Sequence, residues 1–306
     1  MHAHKALKTV WRAKINSGSE GVDWDGAKEY ARRAGVVGVG WGHTNLPDGA
    51  SLDEVIAEIS KYPDWMPAGP QVIRRLAEQV ADGDYVWTRD RSGAHWLAQI
   101  DGPWRYDGSA DANKWDLNNI RPCRWLEASF RDFEVPGAVV RSFVGSATAL
   151  RRVKGEGAAR ITGMTFARET DPNATVSLGP DEVITDLLDP TDVEDVALLS
   201  LQAQGWILLP STRMGSTPLY EAAFRHQTDG RLAVISVKSG ASNPVPIEDL
   251  TKAAGDAEIF VCSTHDQFSA PPQDYGARPI LRADLVRFMA ERPELLPPRI
   301  ARWLAT

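Results

Sequence analysis

The sequence predicts an α/β protein of the α+β kind built from two domains, and three observations predict it. The second half reads α-β-β-β-α-β, the first half is a run of short tryptophan-bearing strands flanked by helices, and a turn-rich stretch of weak periodicity separates them. At 306 residues, 43% of them hydrophobic and with no repeat, the chain is long enough for two cores. The pattern places a first domain at 1–168, a linker at 169–189 around Asp171-Pro-Asn and Gly179-Pro-Asp, and a second domain at 190–306.

In the first domain, Trp24 to Arg33 reads as a helix that leads into Gly35-Val-Val-Gly-Val-Gly-Trp-Gly42, an apolar strand ending in glycines. A helix over Val72 to Ala81 precedes two paired strands, Gly83 to Arg89 and His95 to Ile100, around a turn at Asp90 to Gly93. Trp104-Arg-Tyr106 and Arg121 to Leu126 add short strands, and Ala138 to Phe143 is apolar enough to dock on them. Short strands with helices outside predict a small β-barrel. Nine of the 11 tryptophans lie before residue 130. Trp87, Trp96 and Trp125 follow strand periodicity and are expected in the core.

The second domain opens with Pro190-Thr-Asp-Val-Glu194, where Thr191 is placed to cap a helix that runs to Gly205 and carries Glu194, Leu198 and Leu201 on one face. Trp206 to Leu209 reads as a buried strand, Leu219 to Phe224 and Arg231 to Gly240 as a hairpin, Pro246 to Leu250 as a helix start and Glu258 to Ser263 as a strand. Ser269 to Gly276 is a loop, and Arg282 to Leu304 makes short helices broken at Pro293, Pro297 and Pro298, expected to cover a sheet edge or form a homodimer surface.

Glu221 and Lys238 are the most telling pair. Alternation puts Leu232, Val234, Ser236 and Lys238 on one face of a strand, so a lysine ends an apolar strand beside an acid from its neighbour. That suits a core poorly. It suits a site where a carboxylate holds a divalent cation and a lysine offsets phosphate charge and orients the attacking water. A plain cross-strand ion pair, contributing roughly 0.2 to 1 kcal/mol, is the alternative.

These residues carry a resemblance. The segment from about Thr191 to Thr264 resembles the PD-(D/E)xK nuclease core, and Gln204-Gly-Trp206 with Val237-Lys-Ser-Gly240 is similar to the Mrr-like branch of restriction endonucleases. The resemblance implies Glu221 as the first metal-binding acid, Lys238 as the lysine and Glu194 as a helical acid. Ser236 stands where the family usually has Asp, Glu or Gln, which implies that Glu248 in the following helix supplies the second carboxylate, as in members with Ser-x-Lys. The metal implied is Mg2+ or Mn2+, held by Glu221, Glu194 and Glu248.

The first domain resembles the PUA-like superfamily, including EVE and YTH modules, through Gly40-Trp41-Gly42, Gly83-Asp84 and Trp104-Arg-Tyr106. That resemblance implies a pocket that holds a modified base between aromatic walls, with Trp41, Trp104 and Trp115 as the candidates. Together the halves imply a modification-dependent, Mrr-like restriction endonuclease that recognises DNA with altered bases, as in antiphage defence. An inactive nuclease-fold sensor of nucleic acid or nucleotides, and a nuclease whose first domain docks a partner, are the alternatives.

The formal net charge of -7 excludes binding of DNA through bulk positive charge, so contacts must be local. Arg151, Arg152 and Lys154 form the densest basic stretch and are the expected phosphate contacts, with Arg160, Arg121 and Arg124 nearby in sequence. No apolar run has the length of a membrane span and none follows the N-terminal Met1, which predicts a cytoplasmic protein. Two cysteines give neither a disulfide framework nor a zinc site. The six histidines lack paired spacing, and no Gly-Lys-Ser/Thr loop is present, which disfavours HNH, serine-hydrolase and ATP-driven chemistries.

Overall fold

The computed structural model, described over residues 8–15, 21–41, 46–62, 68–144, 148–171, 173–174, 176–213, 219–240 and 244–304, divides into two compact α+β units, 1–175 and 176–306.

The first unit begins with β1 (Val10–Ala13), α1 (Trp24–Ala34), β2 (Val36–Val39), α2 (Leu52–Ile59) and α3 (Gly69–Arg74). It continues with β3 (Tyr85–Arg89), β4 (His95–Ile100), β5 (Arg105–Tyr106), α4 (Ala110–Lys114) and β6 (Asn119–Phe130). Helix α5 (Gly137–Ser142), β7 (Leu150–Val153) and α6 (Glu156–Thr170) complete it. The sheet runs β2-β6-β4-β3-β1-β7, with β5 alongside β6, and curls into a half-barrel. Only β1 and β3 pair in parallel; the other pairs are antiparallel.

Alternation along β1 divides two cores. Trp11 joins Val86, Ala98 and Ile100 with Val55 and Ile59 of α2 and Ile73 of α3, whereas Val10 joins Trp87, Leu97 and Phe166. Helix α2 has no counterpart in the sequence reading, although Ser51 and Glu54 form a reciprocal capping box at its start. The helix expected over Val72 to Ala81 starts earlier, at Gly69, and ends in a π-helical turn, Arg75–Gln79. Of the three expected core tryptophans only Trp87 is fully buried. Trp96 is half-buried under the Arg32 guanidinium, 3.8 Å from its ring centre, and half-buried Trp125 donates its indole N–H to the Val36 carbonyl at 3.0 Å.

The second unit opens with α7 (Pro180–Glu182), which runs into a π-helical turn at Val183–Leu187, followed by α8 (Pro190–Ala203), β8 (Trp206–Leu208), β9 (Ala222–His226) and β10 (Leu232–Lys238). Then come α9 (Ile247–Ala254), β11 (Glu258–Ser263), β12 (Ala277–Ile280), α10 (Arg282–Glu291) and α11 (Pro298–Ala301). Strand order is β12-β11-β10-β9-β8. β8, β9 and β10 are antiparallel, β9 and β10 being joined by a short hairpin turn; β10, β11 and β12 are parallel, β11 reached through α9 as parallel pairing requires. The expected α-β-β-β-α-β order is that of α8 through β11.

Four details differ from the sequence reading. Pro190 opens α8 at its first helical position with Asp189 at the cap, so Thr191 lies inside the first turn. Helix α6 reaches Thr170, and Val183 and Leu187 are buried in a helical turn, so the connection is shorter than 169–189. Strand β8 is a sheet edge on which Trp206 is buried but Ile207 is 56% exposed. Beyond the loop, β12 extends the sheet along β11, and buried Arg299 of α11 donates to Asp192 at 2.7 Å and also pairs with Asp195, both on α8. Leu178 and Leu304 form a parallel bridge, with the Leu178 N–H donating to the Trp303 carbonyl at 2.7 Å.

Candidate active site

The site lies at the start of β9. The first β9 residue paired with β10 is Ala222, opposite Ile235, so Glu221 lies just before the strand and not within it, with its N–H donating to the Ile235 carbonyl at 2.8 Å. Past that pair the Val237 N–H has no β9 carbonyl opposite it, and Glu221 Oε2 accepts it at 2.6 Å. The other carboxylate oxygen accepts from Lys238 Nζ at 3.0 Å. The Glu221 and Lys238 side chains are 17% and 18% exposed, enclosed yet open to a ligand. The Thr264 N–H donates to the Lys238 carbonyl at 3.2 Å and ties the lysine's end of β10 to the end of β11.

Burial, above all, pushes the Glu221 carboxyl above its ordinary range. The Val237 N–H and the Lys238 ammonium pull it back, and the charge of Glu194 pushes it further up. Helix α8 therefore brings Glu194 into electrostatic reach of Glu221, since Leu198 and Leu201 bury that side of the helix and leave Glu194 half-buried at the rim.

The other two expected residues sit differently. Ser236 is fully buried and its hydroxyl makes no hydrogen bond among the described residues. By alternation it shares the face of Val234, and its register partner is Val261, both in the core that α9 covers with Ile247 and Leu250. Glu248 is exposed on α9 and accepts the Tyr275 hydroxyl at 3.0 Å.

Among the described residues no three potential metal-ligating side chains gather. Two carboxylates, Glu221 and Glu194, remain. All-oxygen donors of this number suit a magnesium or manganese ion, which keeps several waters and takes further ligands from a substrate phosphate.

In the first unit the three candidate wall tryptophans pack, half-buried, against the same core. Trp41 has φ 71°, a left-handed backbone that a bulky side chain rarely adopts. The residues that follow it, 42–45, lie outside the described residues. A Cβ at Gly40 would lie 2.5 Å from Asp116 Oδ2, so any larger residue there would have to displace the Asp116 carboxylate. Trp104 buries an indole N–H that has no partner among the described residues. Trp115 stacks on Tyr30 with ring centres 6.5 Å apart and presses on Gly26, where a Cβ would lie 2.5 Å from its ring.

The sequence reading missed the polar residues beside these rings. Asp116 also has positive φ, 47°, and buried Asn118 and Asn119 each present a side-chain oxygen with no partner among the described residues, while Asn119 Nδ2 donates to the Gly40 carbonyl at 2.9 Å. The signal was available: Asp116-Leu-Asn-Asn119 places three polar residues between a tryptophan and an apolar strand.

Of the basic residues, Arg151, Arg152 and Lys154 line a common cavity. Arg121 does not join them; it is buried and donates to the Gly102 carbonyl at 2.9 Å and to Asp82 at 2.8 Å. Arg124 lies over the Phe166 ring at 4.9 Å.

No family model matches this chain, and neither does any curated protein. A comparison with solved structures returns the crystal structure of an Agrobacterium tumefaciens protein, 14% identical, aligned over 51% of this chain and 93% of its own at a TM-score of 0.25. At that score the likeness carries no argument. No helix among the described residues is long and apolar enough to cross a membrane.

Proposed function

We propose that the chain is a metal-dependent endodeoxyribonuclease of the PD-(D/E)xK, Mrr-like type that acts in the cytoplasm on DNA carrying modified bases. The observation that carries this reading is the Glu221–Lys238 pair, an enclosed acid and an enclosed ammonium 3.0 Å apart at the end of a mixed sheet, with Glu194 acting on the same carboxyl. Glu221 and Glu194 would hold magnesium or manganese, which when bound polarises a phosphoryl oxygen and acidifies a coordinated water. Lys238 places its positive charge where a phosphodiester would lie, and the Val237 N–H fixes the direction in which Glu221 points. Trp41 and Trp104, half-buried against one core, offer aromatic faces of the kind on which a base stacks.

A second reading, a nuclease-fold sensor that binds without cutting, is favoured by buried Ser236 in place of an acid and by the engagement of Glu248 with Tyr275. Incubation with magnesium or manganese and unmodified, methylated, hydroxymethylated and glucosylated DNA separates the readings. Cutting confined to a modified substrate is the expected result. Binding without cutting leaves the sensor, and equal cutting of every DNA leaves a nuclease whose first unit docks a partner.

A further inference from the structure

We infer that the β1–β7 edge of the first unit is a phosphate-binding groove that holds the sugar-phosphate backbone of duplex DNA. This deepens the reading above, and rests on it only in taking DNA as the ligand. The groove is a cavity of about 360 Å³ into which four cations converge: Arg75 from the π-helical turn, and Arg151, Arg152 and Lys154 from β7 and its end. Thr148 and Gln79 add neutral hydrogen-bonding groups, and among the described residues no carboxylate lines it. In a chain of net charge -7 this is a local reversal of sign, the kind of feature through which an acidic protein can hold a polyanion.

The edge position explains the geometry. Strand β7 has β1 on one side and, among the described residues, no strand on the other, and its consecutive residues Arg151 and Arg152 are exposed on opposite faces, bracketing the edge. Arg75 is anchored by donating to the Leu150 carbonyl at 2.8 Å. Trp11 lies at the bottom, its indole N–H donating to Asp84 at 2.9 Å. Asp84 does not cancel the groove's charge by pairing with it; its carboxylate is taken up by Trp11 and by the backbone N–H groups of Thr9 and Ala81.

Arg12 lies on the other face of β1, the face of Val10, and is not a lining residue of the groove. It is fully buried opposite Arg151 in the β1–β7 register and donates to the carbonyl of Thr148, itself a lining residue, while its Nε and Nη2 have no partner among the described residues. Burial first, and then the charge of Arg151, bring its pKa down to about 10. No carboxylate among the described residues pairs with either guanidinium. Its guanidinium lies over the Phe143 ring at 5.7 Å, so it adds positive potential behind β7 without entering the groove.

The test titrates the full chain carrying Lys238→Ala, with magnesium absent, against a short fluorescent unmodified duplex over a series of salt concentrations. Arg152→Gln should lower the salt slope of affinity by about 1, and Arg151→Gln, Arg152→Gln and Lys154→Gln together by about 3, with a loss on the order of a hundredfold at physiological salt. The three side chains are exposed, so melting temperatures should not move. An unchanged slope in the triple variant overturns the proposal, and so does displacement of inorganic phosphate, but not of duplex, by the substitutions. If the duplex binds with the expected slope and the parent cuts no DNA in magnesium, the nuclease reading fails and the groove stands.

Discussion

Glu221 accepts two hydrogen bonds from one neighbouring strand, from the Val237 N–H at 2.6 Å and from Lys238 Nζ at 3.0 Å, so the acid is aimed by the backbone and charged against the lysine at once. Removing either partner breaks the arrangement differently. Lys238→Ala should abolish cutting, a loss of at least on the order of a hundredfold, comparable with removing a pre-placed electrostatic donor from an active site. Unchanged cleavage by the purified variant would remove this pair from the chemistry.

Glu221→Gln should separate activity from stability. Burial raises the Glu221 carboxyl, so its protonation stabilises the fold below the raised pKa, and that stabilisation is lost as pH rises through it. The neutral amide avoids the penalty. The variant should therefore lose cutting yet melt no lower than the parent at alkaline pH, and its advantage should shrink on acidification. A variant that melts well below the parent at high pH contradicts this.

The two remaining acids should rank in a definite order. Glu194 acts electrostatically on Glu221, whereas Glu248 is held by Tyr275 on the exposed side of α9. Calorimetric titration with manganese should show Glu194→Gln weakening binding more than Glu248→Gln. The reverse order would make Glu248 the acid that replaces the one absent at Ser236.

The tryptophans should divide by backbone and packing. Trp41 holds a left-handed backbone that glycine adopts freely, so Trp41→Gly should lower affinity for the preferred modified duplex by about 1 to 3 kcal/mol with little loss of melting temperature. Trp115 is pinned between Tyr30 and Gly26, and Trp115→Ala should cost roughly 3 to 5 kcal/mol of stability. Affinity and melting temperature measured together assign each ring to pocket or core.

His95 is fully buried between Trp87 and Phe143, and burial takes its pKa down to about 4 despite Asp132 Oδ1 at 3.3 Å. The unfolded chain takes up this proton near pH 6.5 and the folded one only near 4. Stability from the neutral ring is thus complete above about 6.5 and falls away towards 4, by roughly 3 kcal/mol in all. His95→Phe should remove that part of the acid sensitivity, read by urea unfolding at several pH values.

The α-β-β-β-α-β order was legible because each strand of the second unit is a short apolar run between turn residues. The Glu221–Lys238 contact was legible for a related reason, since alternation and hairpin spacing set it locally. What stayed hidden depends on partners far away in the chain. Arg299 meets Asp192 over a separation of 107 residues, and Arg12 meets Thr148 over 136, so no local pattern announces either. Glu248 illustrates a subtler limit: its place on α9 was readable, but its rotamer is set by Tyr275, 27 residues on. Helix α2 was a different kind of miss, because its Ser51-x-x-Glu54 signal was present and local.

The bridge between Leu178 and Leu304 sets the start of the second unit beside its last described segment. Two segments clasped in this way protect each other from fraying, because neither can peel from the unit without breaking the hydrogen bond from the Leu178 N–H to the Trp303 carbonyl.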